Sequence, residues 1–328
     1  MMPVSNHSKL RNGRLINSIY ESDLPMSAGT VMPLADLPSE SNSGPVALPR
    51  AWSGKMPGGA AWQILLGDAC EVLSHLPQES FQCVVTSPPY FWQRDYDVAG
   101  QIGLESTIDG YVNSVCNTMD AVKGVLHKHG LLFLNLGDTY YSAKGRPQGK
   151  DKKHYARRFK VLRAVDTNGL GVPQKTTIGI PWRVAIEMIE RGWILRSPII
   201  WQRNGSVPES NARDRPWRTH EMIFMFSKSR RYYFSRKKLA AYGEEDVWTI
   251  PARPNLGSGH TAVFPPAIVQ RCLEIGCVKG GSVLDPFAGS GTVLRVALTL
   301  GHDAVGIDLN PSYCNMMAAQ LQQPHTLE

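Results

Sequence analysis

The chain has 328 residues, 42% of them hydrophobic and 19% charged, enough to bury a sizeable core as one domain or as one domain with an insert. No run approaches the ~20 apolar residues of a membrane-spanning helix, which argues against an integral membrane protein. Six cysteines (70, 83, 116, 272, 277 and 314) form no C-x-x-C, which argues against a zinc ribbon or disulfide framework and suits a reducing cytoplasm.

Residues 1–58 hold seven prolines, many serines and no sustained period, ending in "KMPGGA". They read as a largely disordered arm on a Gly-rich hinge. The start lacks the apolar stretch of a secretory signal. Lys9, Arg11 and Arg14, without an acid among them, loosely resemble an organelle presequence, but a disordered, mildly basic start is the simpler reading.

From Trp62 onward, short apolar runs recur at 62–68, 81–87, 130–137, 194–201, 221–227, 282–286 and 302–308, giving seven expected strands. Helical patterns fall at 107–130, 181–193, 264–281 and 291–301, the middle two opening on Pro as first helical turns often do. Near-continuous apolar strands alternating with helices predict an α/β fold, a mostly parallel sheet covered on both faces. Strands 194–201 and 221–227 have no helix between them and should pair antiparallel.

Net charge is +7, and the segment from Lys144 to Arg163 alone carries nine basic residues against Asp151. Lys144, Arg146, Lys150, Lys152, Lys153, Arg157 and Arg158, in an insert spanning 140–177, are candidate phosphate contacts. A second loop, 204–221, has mixed charge. His127, His129 and His154 have no metal-ligand spacing with acids or cysteines, and no metal site is expected.

Two local patterns carry chemistry. "SVLDPFAGSGTVLRVAL" is a strand ending in Asp285, a turn with Gly289 and Gly291, and a helix from Thr292. That places a ligand above backbone N–H groups and a helix N-terminus. Leu294 stands where a G-x-G-x-x-G fingerprint needs its third glycine, and the next strand ends in Asp308, placed to accept ribose hydroxyls. "VVTSPPY" ends a strand in Ser87, Pro88, Pro89 and Tyr90. Prolines fix φ and donate no N–H, so carbonyls there can be presented rigidly.

"DPFAGSGT" resembles the S-adenosylmethionine motif, and "TSPPY" the catalytic motif, of amino-group DNA methyltransferases. The catalytic motif precedes the cofactor motif, an order similar to the permuted β-group. RNA and protein amino-methyltransferases with Pro-Pro-Tyr place it after the cofactor turn. The resemblance covers about residues 62–323 and implies a Rossmann-like seven-stranded sheet with one antiparallel strand, within a methyltransferase domain spanning 59–328. It implies S-adenosyl-L-methionine as cofactor and double-stranded DNA as partner, and leaves open a cognate restriction endonuclease.

Carried over residue by residue, Asp285, Phe287, Gly289, Gly291 and Thr292 surround the methionine and turn, Asp308 the ribose, and Asp68 the adenine side unless it is only a helix cap. His260, Thr261 and Phe264 resemble the segment closing over the methionine moiety. In the catalytic motif, Ser87 Oγ and the Pro88 carbonyl suit the two hydrogens of an exocyclic amine, aiming its lone pair at the methyl group. Tyr90 offers a stacking face worth about 1–3 kcal/mol to a flipped base. Phe91 and Trp92 extend that wall or belong to the core. Ser at position 87 leans toward N4 of cytosine, with N6 of adenine as the alternative. C5-cytosine chemistry needs a Pro-Cys nucleophile, and the chain has no such dipeptide. A nucleic-acid-binding protein with a decayed cofactor site is the non-enzymatic alternative, and the intact motifs argue against it.

Overall fold

The computed structural model describes residues 50–143, 164–204, 212–252 and 265–322. Nine strands form one sheet: β1 (Ala51–Lys55), β2 (Ala61–Leu66), β3 (Phe81–Thr86), β4 (Leu126–Leu136), β5 (Ile194–Asn204), β6 (His220–Ser227), β7 (Val247–Pro251), β8 (Ser282–Asp285) and β9 (Asp303–Asp308). The described helices are α1 (Ala69–His75), α2 (Ile108–Val125), α3 (Ile180–Glu190), α4 (Arg236–Ala241), α5 (Pro266–Gly276), α6 (Thr292–Thr299) and α7 (Pro311–Gln322).

The sheet order is β1-β2-β9-β8-β3-β4-β6-β5-β7. Strands β2, β9, β8, β3 and β4 are parallel, and β6 runs antiparallel to both β4 and β5. The expected α/β class and the antiparallel 194–201/221–227 pair are observed. The strand count of seven is corrected to nine: β1 and β7 were not expected, and β1 adds a second reversed strand at the sheet edge. Residues 51–55, placed by the sequence in the arm, therefore belong to the sheet; residues 1–49 lie outside the described residues.

Successive side chains on a strand point to opposite faces, and here both faces are apolar. Val84, Leu132, Leu134, Leu284 and Val305 pack with Val115, Val122, Val184 and Met188 of α2 and α3. Cys83, Val85, Leu131, Phe133 and Val283 pack with Ile268, Cys272, Val293, Leu294 and Met317 of α5, α6 and α7. This double cover explains why the central strands read as continuous apolar runs.

One boundary differs. The expected helix 107–130 ends at Val125, and β4 begins at Leu126, paired with Phe81. Gly130, which would have stopped the helix, is in the strand, where an added Cβ would come within 2.9 Å of the Gln82 carbonyl.

The parallel strands all finish at one end of the sheet. β8 leads through α6 to β9 on one side, whereas its other neighbour, β3, leads through α2 to β4 on the opposite side. The crevice beyond β8 and β3 is thus the switch point where such sheets bind ligands.

Candidate active site

Thr86 ends β3 and Asp285 ends β8. Thr86 Oγ1 donates to Asp285 Oδ1 at 2.7 Å, a single contact between residues 199 positions apart in the chain. Asp285 Oδ1 also accepts Phe287 N–H at 3.1 Å, which bends the chain into the following turn. Burial pushes the Asp285 carboxyl up to about 7, against the lowering by its Thr86 and Phe287 donors; the nearby Asp308 raises it further. Asp285 is thus a buried brace beneath the turn.

In that turn Gly289 has φ +52°, and a Cβ built there meets only Phe287 O, at 3.9 Å. The backbone is therefore left-handed and open on that side, a combination suited to glycine. Gly289 N–H donates to Asp308 Oδ2 at 2.7 Å, and Asn310 N–H donates to Asp308 Oδ1 at 2.8 Å. Burial raises the Asp308 carboxyl, and these two donors oppose it. Gly291 (φ +75°) is the N-cap of α6, and any Cβ there would strike Met317 Cγ at 2.8 Å. Thr292 is buried as the first residue of α6.

A pocket partly open to solvent lies over this turn. Its wall includes Asp68, Ser87, Pro89, Phe287, Gly289 and Asp308, all singled out in the sequence. Asp68 lines the pocket, and its carboxylate also caps α1 by accepting Glu71 N–H at 3.1 Å. The opposite wall was not legible. It comes from Tyr96, Val98 and residues 100–102, with Leu309, Asn310 and Tyr313 beyond Asp308. The Tyr96 and Tyr313 rings meet edge-on at 6.3 Å.

The Tyr96 wall is positioned by a strained turn. Trp92 has φ +52°, an outlier for a bulky residue. Trp92 N–H donates to Gly103 O at 2.7 Å, and its indole N–H to Glu105 O at 2.6 Å, which folds residues 93–102 back on the motif. Phe91 is fully buried, with its ring 5.3 Å from that of Tyr111. Neither Phe91 nor Trp92 reaches the pocket wall.

Tyr111, on α2, donates to the Pro89 carbonyl at 2.9 Å and so fixes the Pro-Pro segment from behind. Tyr90 Oη lies 2.8 Å from Asn135 Oδ1 and 2.7 Å from Glu221 Oε2, two acceptors for one hydroxyl proton. Burial and the Glu221 charge hold the Tyr90 phenol well above its usual range. Asn135 is oriented by its amide donating to Met222 O at 3.1 Å, and Glu221 by Arg203 Nη1 at 3.2 Å. Ser87 Oγ sits 3.3 Å from Tyr90 Oη and 3.4 Å from Asn135 Oδ1, long contacts that a better partner can replace. Gly137 closes one side of the tyrosine ring; a Cβ there would lie 2.5 Å from Tyr90 Cε2.

The "DNA methylase" family model matches residues 81–320, which contain both motifs. The chain belongs to the N6/N4 DNA methylase family. Among relatives of this methylase, the type II methyltransferase M.XycI of Xanthomonas campestris pv. cyanopsidis is 41% identical over 263 residues, covering 78% of this chain and 86% of the relative. The type II methyltransferase M.SmaI of Serratia marcescens is 40% identical, covering 77% and 88%. In fold, the methylase matches the PvuII DNA methyltransferase (cytosine-N4-specific) with a TM-score of 0.62 at 20% identity, covering 84% and 92%. It also matches a putative DNA modification methylase of Thermus thermophilus, complexed with S-adenosyl-L-methionine, with a TM-score of 0.55 at 21% identity, covering 79% and 92%.

The structure of the methylase thus brings Ser87, Pro89, Asp68, Phe287, Gly289 and Asp308 onto one pocket, with Pro88 and Tyr90 beside it and Asp285, Gly291 and Thr292 behind the turn. His260, Thr261 and Phe264 lie outside the described residues, as do Lys144, Arg146, Lys150, Lys152, Lys153, Arg157 and Arg158. Sequence reasoning missed Asn135, Gly137, Arg203 and Glu221. Only "LGD" after β4 and "HE" opening β6 hinted that those strand ends carry polar work. Among the described residues no cluster of His, Cys, Asp or Glu could hold a metal ion, and no helix is long and apolar enough to cross a membrane.

Proposed function

We propose that the chain binds S-adenosyl-L-methionine in the Asp68–Asp308 pocket and transfers a methyl group to the exocyclic N4 amine of a cytosine flipped out of double-stranded DNA. The observation that carries this is the meeting of Ser87 and Pro89 with Gly289 and Asp308 on one pocket wall, although the two pairs are some two hundred residues apart in the chain. The pocket suits the cofactor: Gly289 leaves its backbone open, Asp308 keeps acceptor capacity at the rim, and Tyr96 and Tyr313 offer aromatic surface. When bound, the cofactor supplies an electrophilic methyl group on a sulfonium.

Everything else falls to the chain's own residues. Ser87 Oγ, held loosely by Tyr90 and Asn135, turns to accept one amine hydrogen. The Pro88 carbonyl, fixed in direction by two prolines and by Tyr111 behind Pro89, accepts the other. The Tyr90 ring, tethered at its hydroxyl and backed by Gly137, stacks on the base. No strong general base is needed, because the proton is lost to water after the methyl group has moved.

Ser at position 87 in a Ser-Pro-Pro-Tyr motif supports cytosine over the alternative, N6 of adenine, and the named base of the PvuII enzyme is in line with it. The type II names of the relatives favour a cognate restriction endonuclease as partner. In the cell this activity belongs in the cytoplasm, on the chromosome. Transfer of labelled methyl from S-adenosyl-L-methionine to duplex DNA tests the reading. Ser87→Ala should lower transfer at least a hundredfold while cofactor affinity, read by calorimetry, stays within about twofold. Transfer that persists in this variant would refute the mechanism.

A further inference from the structure

The segment 212–219 leads into β6 at the end of the sheet that holds Ser87 and Tyr90. It carries Arg213, Arg215 and Arg218, and its one acid, Asp214, is already paired with Lys175 at 2.6 Å. Arg218 stands out. Its Nε and Nη1 are shielded from solvent and have no hydrogen-bond partner among the described residues. Its guanidinium carbon is 5.8 Å from the centre of the Tyr140 ring, which Arg215 covers at 3.7 Å.

The Arg218 charge is felt by Asp138, whose carboxylate is already engaged by the N–H groups of Thr139, Gly179 and Ile180. A shielded guanidinium with unmatched N–H groups is costly unless an acceptor arrives. The acceptor that fits its planar fork is a phosphate or carboxylate. The backbone of this arginine is fixed to the catalytic side: the Arg218 carbonyl accepts Arg203 Nη2 at 2.9 Å, and Arg203 in turn holds Glu221 against Tyr90.

We propose that Arg218, braced by the Arg215–Tyr140 stack, holds a backbone phosphate of the target strand beside the extruded nucleotide. This rests on the DNA methyltransferase reading above. Phosphate contacts carry no sequence information but set register, and the link through Arg203 and Glu221 means that the strand is gripped a few side chains from the stacking tyrosine.

The test uses the full-length chain, fluorescence anisotropy, and a duplex carrying the sequence that the wild type methylates. Single neutral methylphosphonate linkages are placed one at a time around the target base. The wild type should lose roughly tenfold in affinity at one linkage flanking that base. Arg218→Ala should lose about as much on unmodified DNA, become indifferent to that linkage, and show a log–log salt slope smaller by about one. Arg218→Lys should fall between. Cofactor affinity within about twofold of wild type shows that the variants are folded. An Arg218→Ala variant with wild-type affinity and salt slope, or one still sensitive to every linkage that affects the wild type, overturns the proposal. A wild-type chain that binds cofactor but neither binds nor methylates DNA overturns the functional reading, and this proposal with it.

Discussion

At the scale of single residues, the site depends on how tightly Tyr90 is held. Its hydroxyl is anchored on Asn135 and Glu221, and its ring lies against Gly137 with no room for a methyl group. Gly137→Ala would put a Cβ 2.5 Å from Cε2 and 2.8 Å from Cδ2, so the ring must tilt away from its anchor. A displacement of about an ångström at a reacting centre can cost up to a hundredfold. The variant should lose at least roughly tenfold in kcat while cofactor affinity is unchanged; equal kcat would mean that the ring position does not matter.

Asp285 gives a pH-dependent prediction at the same scale. Its carboxyl is raised to about 7 by burial, so the folded chain keeps a proton that the unfolded chain has already lost. Stability therefore falls as pH rises from the ordinary carboxylate range to about 7, and levels off above. Asp285→Asn stays neutral throughout and can still accept from Thr86 and Phe287. Thermal unfolding of both should show the wild type losing ground to the variant across that window, by on the order of a few kcal/mol. A difference independent of pH would contradict the assignment.

At the scale of elements, legibility followed length and burial. The central expected strands were visible because both faces of the sheet are covered there, leaving runs of buried apolar residues such as Val283–Leu284 and Ala304–Ile307. β1 (AWSGK) and β7 (VWTIP) lie at the two edges, each five residues long with exposed alternate positions, and offered too little period to detect. The end of α2 was misplaced because Val125 and Leu126 are apolar in either periodicity, and only pairing with Phe81 decides between them. β1 still matters: Gly54 lies flat on the ring of Trp62, which is only 2% exposed. A chain lacking residues 1–49 keeps β1 and serves as the reference. Removing residues 1–56 uncovers Trp62 and should lower the melting temperature by roughly 3–8 °C, from about 2 kcal/mol of lost burial. Equal melting temperatures for the two truncations would show β1 to be dispensable.

At the scale of the whole molecule, the chain's order and its architecture disagree in an informative way. β3, which leads into the Ser-Pro-Pro-Tyr motif, comes early and β8, which leads into the Gly-rich turn, late, yet they are neighbours in the sheet, joined at their ends by Thr86 and Asp285. Each motif was legible because it is a local turn whose residue types betray its chemistry; their meeting was implied only by the resemblance to the permuted methyltransferases. Asn135, Glu221 and Arg203 were not legible, because a polar residue at a strand end looks the same whether it faces water or the Tyr90 hydroxyl. The Tyr96 wall was hidden for a different reason: its placement depends on the strained backbone at Trp92, which no propensity announces.

The central claim, methyl transfer to N4 of cytosine, is tested most directly by nucleoside mass spectrometry with chromatographic separation. DNA from cells expressing this chain would be compared with DNA from cells expressing Ser87→Ala. N4-methylcytosine should appear with the first and be absent with the second. N6-methyladenine in its place would contradict the cytosine assignment while sparing the mechanism. Neither product, from a chain that binds S-adenosyl-L-methionine, would contradict the account at its centre.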